Sequence, residues 1–194
     1  MLGQSRPPDE VLVVDDGSRD SSAGVARAFG AAVRVLSQPP LGTSAAVNRG
    51  VENARGRLLA FLDADDLWPA EKLELQLTAL GLRPDVEAVF GHAVEFGKGR
   101  PVVEPVPGYV RGTLLIRREA YDRVGPFADF PFGEFFEWYA RAVDAGLRTL
   151  LLPDVLLRRR IHETNLGIRR RGEREEYARA LKAVLDRRRG TSRR

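Results

Sequence analysis

The tightest constraint on this chain is an apolar run that ends abruptly in carboxylates: Leu58-Leu59-Ala60-Phe61-Leu62, then Asp63-Ala64-Asp65-Asp66. A strand with one wet face would alternate, so an unbroken run predicts a strand buried on both faces, as in a parallel sheet under helices. In open α/β sheets ligands bind beyond the carboxyl ends of strands, and the acids stand at such an end. Side chains two residues apart in an extended segment point the same way. Asp63 and Asp65 can therefore converge on one cation, and hard oxygen ligands suit Mg²⁺ or Mn²⁺. Helix capping is the competing use of Asp65 or Asp66, because Trp68-Pro69 puts a proline near the first turn of the next helix. One acid suffices for a cap. Three within four residues favour metal or phosphate chemistry.

The same pattern occurs earlier. Glu10-Val11-Leu12-Val13-Val14 reads as a strand closing on Asp15-Asp16-Gly17-Ser18. Gly17 allows the backbone to turn, and Ser18 or Asp20 can cap a helix over 21–29. A strand over 32–36 and a helix over 43–54 deliver the chain to Leu58, giving the strand–helix order of parallel crossovers. Leu73, Leu77 and Leu80 mark an amphipathic helix over 70–80. Further on the reading is a strand over 86–96, a loop over 97–108, a strand over 112–117 and a helix over 118–124. In a helix over 134–145, Phe135, Trp138, Tyr139, Ala142 and Val143 form the inner stripe, leaving Glu134, Glu137 and Arg141 exposed. A strand over 147–157 and a last helix over 173–188 complete the chain. His92, within a strand, packs or lines the cleft.

The length of 194 residues accommodates one well-buried domain. The absence of cysteine excludes disulfides and thiolate metal sites. No apolar segment approaches the ~18 to 20 residues of a membrane span, and no signal peptide is visible. Charge is uneven: residues 158–194 hold 14 Lys and Arg against 5 Asp and Glu, in a chain of formal net charge +4. Such a tail suits an anionic lipid surface or a phosphorylated ligand. Its one aromatic, Tyr177, falls on the apolar face of the last helix, so the interleaving that stacks bases is missing and nucleic acid is not expected.

The motifs VVDDGSRDSS at 13–22 and GTSAAVNRGVENARGRLLAFLDADD at 42–66 resemble those of the inverting family-2 glycosyltransferases. RGTLLIRREAYDRVGPF at 111–127 and the Glu-led helix after it continue the likeness, which covers about residues 6–167. The resemblance implies an α/β GT-A (Rossmann-like) fold, a mostly parallel sheet flanked by helices. The glycosyltransferase domain would occupy residues 1–167 and a basic C-terminal helix and tail residues 168–194. It implies an enzyme of cell envelope glycan synthesis that moves a sugar from a UDP-linked donor to a hydroxyl of a glycan, lipid or peptide. A cytoplasmic location follows, with the basic tail available for contact at the inner membrane face. By the same likeness Asp15, Asp16, Gly17, Ser18, Asn48, Asp63, Asp65 and His162 bind the nucleotide-sugar. Asp63, Asp65 and His162 would hold Mg²⁺ or Mn²⁺, which stabilises the departing diphosphate as a Lewis acid.

The chain departs from the family pattern in three places. Members open with a strand and most of a helix before the equivalent of Pro7-Pro8-Asp9-Glu10, and that strand lies inside the sheet. The expectation is that the natural protein extends further towards its N-terminus, with Met1–Ser5 the end of that helix. The family's Glu-Asp pair at the head of the helix after Gly-Pro-Phe, with Asp as base, is here Glu134-Phe135. Glu134 is then the candidate base, or a helix N-terminal acid favoured by the dipole. Glu137 is a second candidate, or a partner of Arg141 at i+4. Val47 replaces a usual arginine, while Arg158–Arg160 can reach a pyrophosphate. The competing readings are an inactive paralogue serving as a binding module and a nucleotidyltransferase; the latter lacks a Gly-rich phosphate loop behind the first strand.

Overall fold

A computed structural model describes residues 1–97, 104–130 and 133–161; His162 and the basic tail lie outside the described residues. Strand β1 (Leu12–Asp16) pairs in parallel with β2 (Arg34–Gln38), with α1 (Ser22–Arg27) between them in sequence. Helix α2 (Thr43–Asn53) leads to β3 (Leu58–Ala60), and α3 (Lys72–Leu82) to β4 (Ala88–Phe96). After β5 (Val106–Gly108) come a 3₁₀ turn (Arg111–Thr113), β6 (Leu115–Arg117), α4 (Arg118–Val124), α5 (Glu134–Asp144) and β7 (Thr149–Arg160).

Strand directions are mixed rather than mostly parallel. One sheet is β1-β2; the other runs β3-β6-β4-β5, with β7 also on β4. Strands β3 and β4 are each antiparallel to β6, hence parallel to one another, so the β3–α3–β4 crossover is the parallel unit the pattern implied. That crossover leaves one strand position between its ends, and β6 fills it from the opposite direction. Helix α2 links the two sheets: a Cβ added at Gly50 would lie 3.4 Å from a Val14 methyl, while Val51 joins the core of the larger sheet.

The unbroken apolar runs have a simple cause. Leu59, Ala88, Phe90, Leu114 and Ile116 face one core, shared with Tyr121, Phe127 and Trp138 of the α4–α5 side. Val89 and Leu115, with half-buried Leu58, Ala60, Leu150 and Leu152, face a second core under Leu73 and Leu80 of α3. Both faces are covered, so neither can be polar. Several expectations shift. β3 ends at Ala60, so Asp63 stands three residues beyond the strand. In α5, Glu137 is buried and Val143 is exposed. Arg141 explains the first: its Nε donates to both Glu137 oxygens, at 3.0 and 3.1 Å. Met1–Ser5 forms turns, not a helical end. Gln4 is buried there, donating to the Pro69 carbonyl at 2.7 Å and accepting the Leu73 N–H at 3.1 Å. The first turn of α3 is thus capped from a distance.

Candidate active site

The acidic segment 63–66 is a turn closed by the Asp66 N–H donating to the Asp63 carbonyl at 3.1 Å. Strand alternation therefore does not align Asp63 with Asp65, since the segment is not extended. Asp66 caps no helix. It accepts the Arg160 N–H at 2.8 Å, while Leu67 and Arg158 exchange two backbone bonds of 2.9 and 2.8 Å. Burial pushes the Asp66 carboxyl up to about 6; the Asp65 and Asp63 charges add to this, and the Arg160 amide opposes it. This third acid is thus the clasp that ties the turn to the end of β7. The Arg160 side chain donates to the Asp65 carbonyl at 3.0 Å and lies over Phe96 at 4.7 Å.

Asp63 meets an arginine to which sequence pattern assigned no role. Arg111 is 9% exposed and forks: one terminal nitrogen donates to Asp63 Oδ1 at 2.5 Å, the other to Glu134 Oε1 at 2.9 Å. Two carboxylates far apart in sequence so share one guanidinium. Arginine's rigid planar donor set permits this, where a lysine would offer a single point charge. Arg111 opens a run within the family likeness, RGTLLIR, but nothing in its spacing points to a partner.

Glu134 owes its position to the turn before α5. Arg141 donates to the Val124 and Pro126 carbonyls at 2.6 and 2.5 Å, and Trp138 Nε1 to the Gly125 carbonyl at 2.8 Å. Glu137 thus braces a turn through Arg141. Asn48 is committed to the same turn: its amide donates to the Phe127 carbonyl at 2.8 Å, and its oxygen accepts the Phe127 N–H at 2.9 Å. That places Asn48 in a structural clasp. Phe135 lies among the rings of Phe127, Trp138 and Tyr139, at 6.3, 5.9 and 6.2 Å. Position 135 faces the aromatic core, while position 134 reaches the guanidinium shared with Asp63. That accounts for a ring at the first and a carboxylate at the second.

The first acid pair divides in the same manner. Asp16 accepts Gln38 Nε2 at 2.7 Å and the Leu41 and Gly42 amides at 2.8 Å each. Burial works to raise its carboxyl, and those three donors outweigh it, so Asp16 is held below the ordinary range. Asp15 is lowered chiefly by the Ser18 hydroxyl, with the Ser18 amide at 3.0 Å beside it. Successive strand residues point to opposite faces, so Asp16 organises the 38–42 loop and Asp15 is the acid presented at the strand end. Gly17 must be glycine: its φ is 74°, and a Cβ would lie 2.8 Å from Pro40 Cδ.

The donor set fits a hard divalent cation. Among the described residues no three His, Asp or Glu groups cluster as a ready-made cage. The Asp63 side chain is half exposed, however, and Mg²⁺ is commonly held by one or two carboxylates with substrate phosphates and waters completing the shell. His162, expected as a third ligand, lies outside the described residues.

These features define an α/β domain of GT-A type. Over 94% of its length the chain superposes on S. aureus TarS residues 1–349 in complex with UDP, with a TM-score of 0.71 and 17% identity, covering 57% of that chain. Over 96% of its length it superposes on the mannosyltransferase PcManGT from Pyrobaculum calidifontis in complex with GDP-Man and Mn²⁺, with a TM-score of 0.68 and 22% identity, again covering 57% of that chain. Residues 1–131 match the model of Glycosyl transferase family 2, and the chain belongs to that family. It is 30% identical over 169 residues to the glycosyltransferase AglE of Haloferax volcanii, across 76% of this chain and 55% of the relative. It is 32% identical over 106 residues to the putative teichuronic acid biosynthesis glycosyltransferase TuaG of Bacillus subtilis, across 53% of this chain and 42% of the relative. The chain thus spans about half the length of these curated relatives. Among the described residues no helix is long and apolar enough to cross a membrane.

Proposed function

We propose that the chain is the donor-binding and catalytic part of an enzyme that transfers a sugar from a UDP-linked donor to a hydroxyl acceptor with inversion. The carrying observation is the Asp63–Arg111–Glu134 constellation, which sets a second carboxylate beside the acidic turn. Inverting transfer needs a base on the acceptor side, facing the donor's anomeric carbon opposite the leaving group. Glu134 fills that role, taking the proton from the attacking hydroxyl. Asp15 receives the nucleoside, aided by the Gly17-Ser18 turn. Asp63 and Asp65 would hold Mg²⁺ or Mn²⁺ against the diphosphate, which when bound supplies Lewis-acid stabilisation of the leaving group. The exposed guanidinium of Arg160, next to Asp65, adds positive charge there. Residues 1–167 form the transferase domain, and the basic 168–194 tail contacts an anionic membrane surface at the cytoplasmic face.

The support for this reading is the family membership together with neighbours captured with UDP and with GDP-Man and Mn²⁺. Calorimetric titration with UDP tests the metal's part. UDP binding is expected to weaken by at least about tenfold without Mn²⁺, roughly 1.4 kcal/mol, and similarly in Asp65→Ala with Mn²⁺ present. Equal affinity in all three conditions would remove the metal from the site.

A further inference from the structure

Arg111 is built into the site more firmly than an ordinary surface cation. Its 3₁₀ turn is held from several sides. The Trp68 indole donates to the Gly112 carbonyl at 2.9 Å, and the Gln76 amide to the Thr113 carbonyl at 2.7 Å. The Thr113 hydroxyl, buried, donates to the Val110 carbonyl at 2.9 Å. A Cβ on Gly112 would fall 2.8 Å from a Leu157 methyl. The backbone carrying the guanidinium is thus clamped by α3, by the segment leading into α3 and by β7. Its two partners come from separate elements: Asp63 from the loop after β3, Glu134 from the first residue of α5.

We infer that Arg111 is a positioning residue for glycosyl transfer, fixing the acceptor-side carboxylate of Glu134 at a set separation from the donor-side carboxylate of Asp63. The inference rests on the reading of Glu134 as the base. A reacting hydroxyl must lie between base and anomeric carbon, and a misplacement of about 1 Å can cost about 10²-fold in rate. Two like charges left facing each other would also separate. Arg111 prevents both by donating one hydrogen bond to each.

The test compares Arg111→Ala, Glu134→Gln and the double variant in donor turnover, with folding checked by circular dichroism. Arg111→Ala is expected to lower kcat by about 10²-fold while donor KM changes by less than about threefold. In the Glu134→Gln background the same substitution should cost nothing more, since residues acting as a unit are not additive. Ethylguanidinium added to Arg111→Ala should restore turnover in a saturable manner, which a merely structural defect would not allow. If Arg111→Ala does not fold, Arg111→Lys keeps the charge, and its kcat should still fall because one ammonium cannot fork to both oxygens. Full additivity in the double variant, or wild-type kcat in Arg111→Ala or in the folded Arg111→Lys, overturns the inference. An active Glu134→Gln instead overturns the reading of the base, and the loss and rescue of turnover in Arg111→Ala alone then decide whether Arg111 positions the site.

Discussion

Glu134→Gln is expected to lower kcat by about 10² to 10⁴-fold, the usual contribution of general-base catalysis, and to leave donor affinity within about threefold of wild type. Glutamine keeps the shape of the side chain and its acceptor oxygen towards Arg111, but it cannot take a proton. In the proposed function the donor is held elsewhere, by Asp15 and the 63–66 turn, so binding and chemistry should separate. Glu137→Gln is the informative control. Glu137 is buried and pairs with Arg141, which in turn holds the Val124 and Pro126 carbonyls. Its loss should show first as a lower melting temperature. A dead but fully stable Glu137→Gln beside an active Glu134→Gln would move the base one turn along α5.

The second large effect concerns stability and arises from Lys72. Its side chain is fully buried, donating to Gln76 Oε1 at 2.6 Å and lying 4.2 Å above the Trp68 ring. Burial pushes its ammonium down to about 7 from 10.5. Between those values the unfolded chain keeps a proton that the folded chain releases, so stability rises with pH through that window. Below about pH 7 both states are protonated and this slope vanishes. The expected gain between about pH 7 and 9 is on the order of 1 kcal/mol per pH unit, read from urea unfolding at each pH. Lys72→Met removes most of the slope and is more stable than wild type at about pH 7. A slope unchanged in Lys72→Met would show that other groups produce it.

The contrast between Leu73 and Lys72 shows how far the sequence carried the fold. Leu73, Leu77 and Leu80 marked the inner face of α3 because leucines at that spacing have one destination. Lys72 and Gln76, four apart on the neighbouring flank, are polar, yet both are fully buried because the 3₁₀ turn and β4 close over them. That is a tertiary fact with no local signature. The α/β class and most helix limits were legible for a similar reason: continuous apolar runs require two covered faces. Strand direction was not, because β6 enters between β3 and β4 from a segment whose own sequence is equally apolar. In the site, the acidic turns were visible as clusters, but which acid faces outwards was not. Asp16 and Asp66 carry the same charge as Asp15 and Asp63, and only their partners, the 38–42 loop and the Arg160 amide, show that they also hold backbone segments in place. Arg111 was hidden in the same way, its role defined by carboxylates distant in sequence.

The most direct measurement of the central claim is the anomeric form of sugar released when water stands in for the acceptor, followed by real-time proton NMR with a UDP-α-sugar and Mn²⁺. Base-assisted attack from the Glu134 side predicts that the β-anomer appears first, before mutarotation, and that Glu134→Gln suppresses its formation by about 10²-fold or more. Initial release of the α-anomer, or release at an unchanged rate in Glu134→Gln, would contradict an inverting transferase with Glu134 as its base.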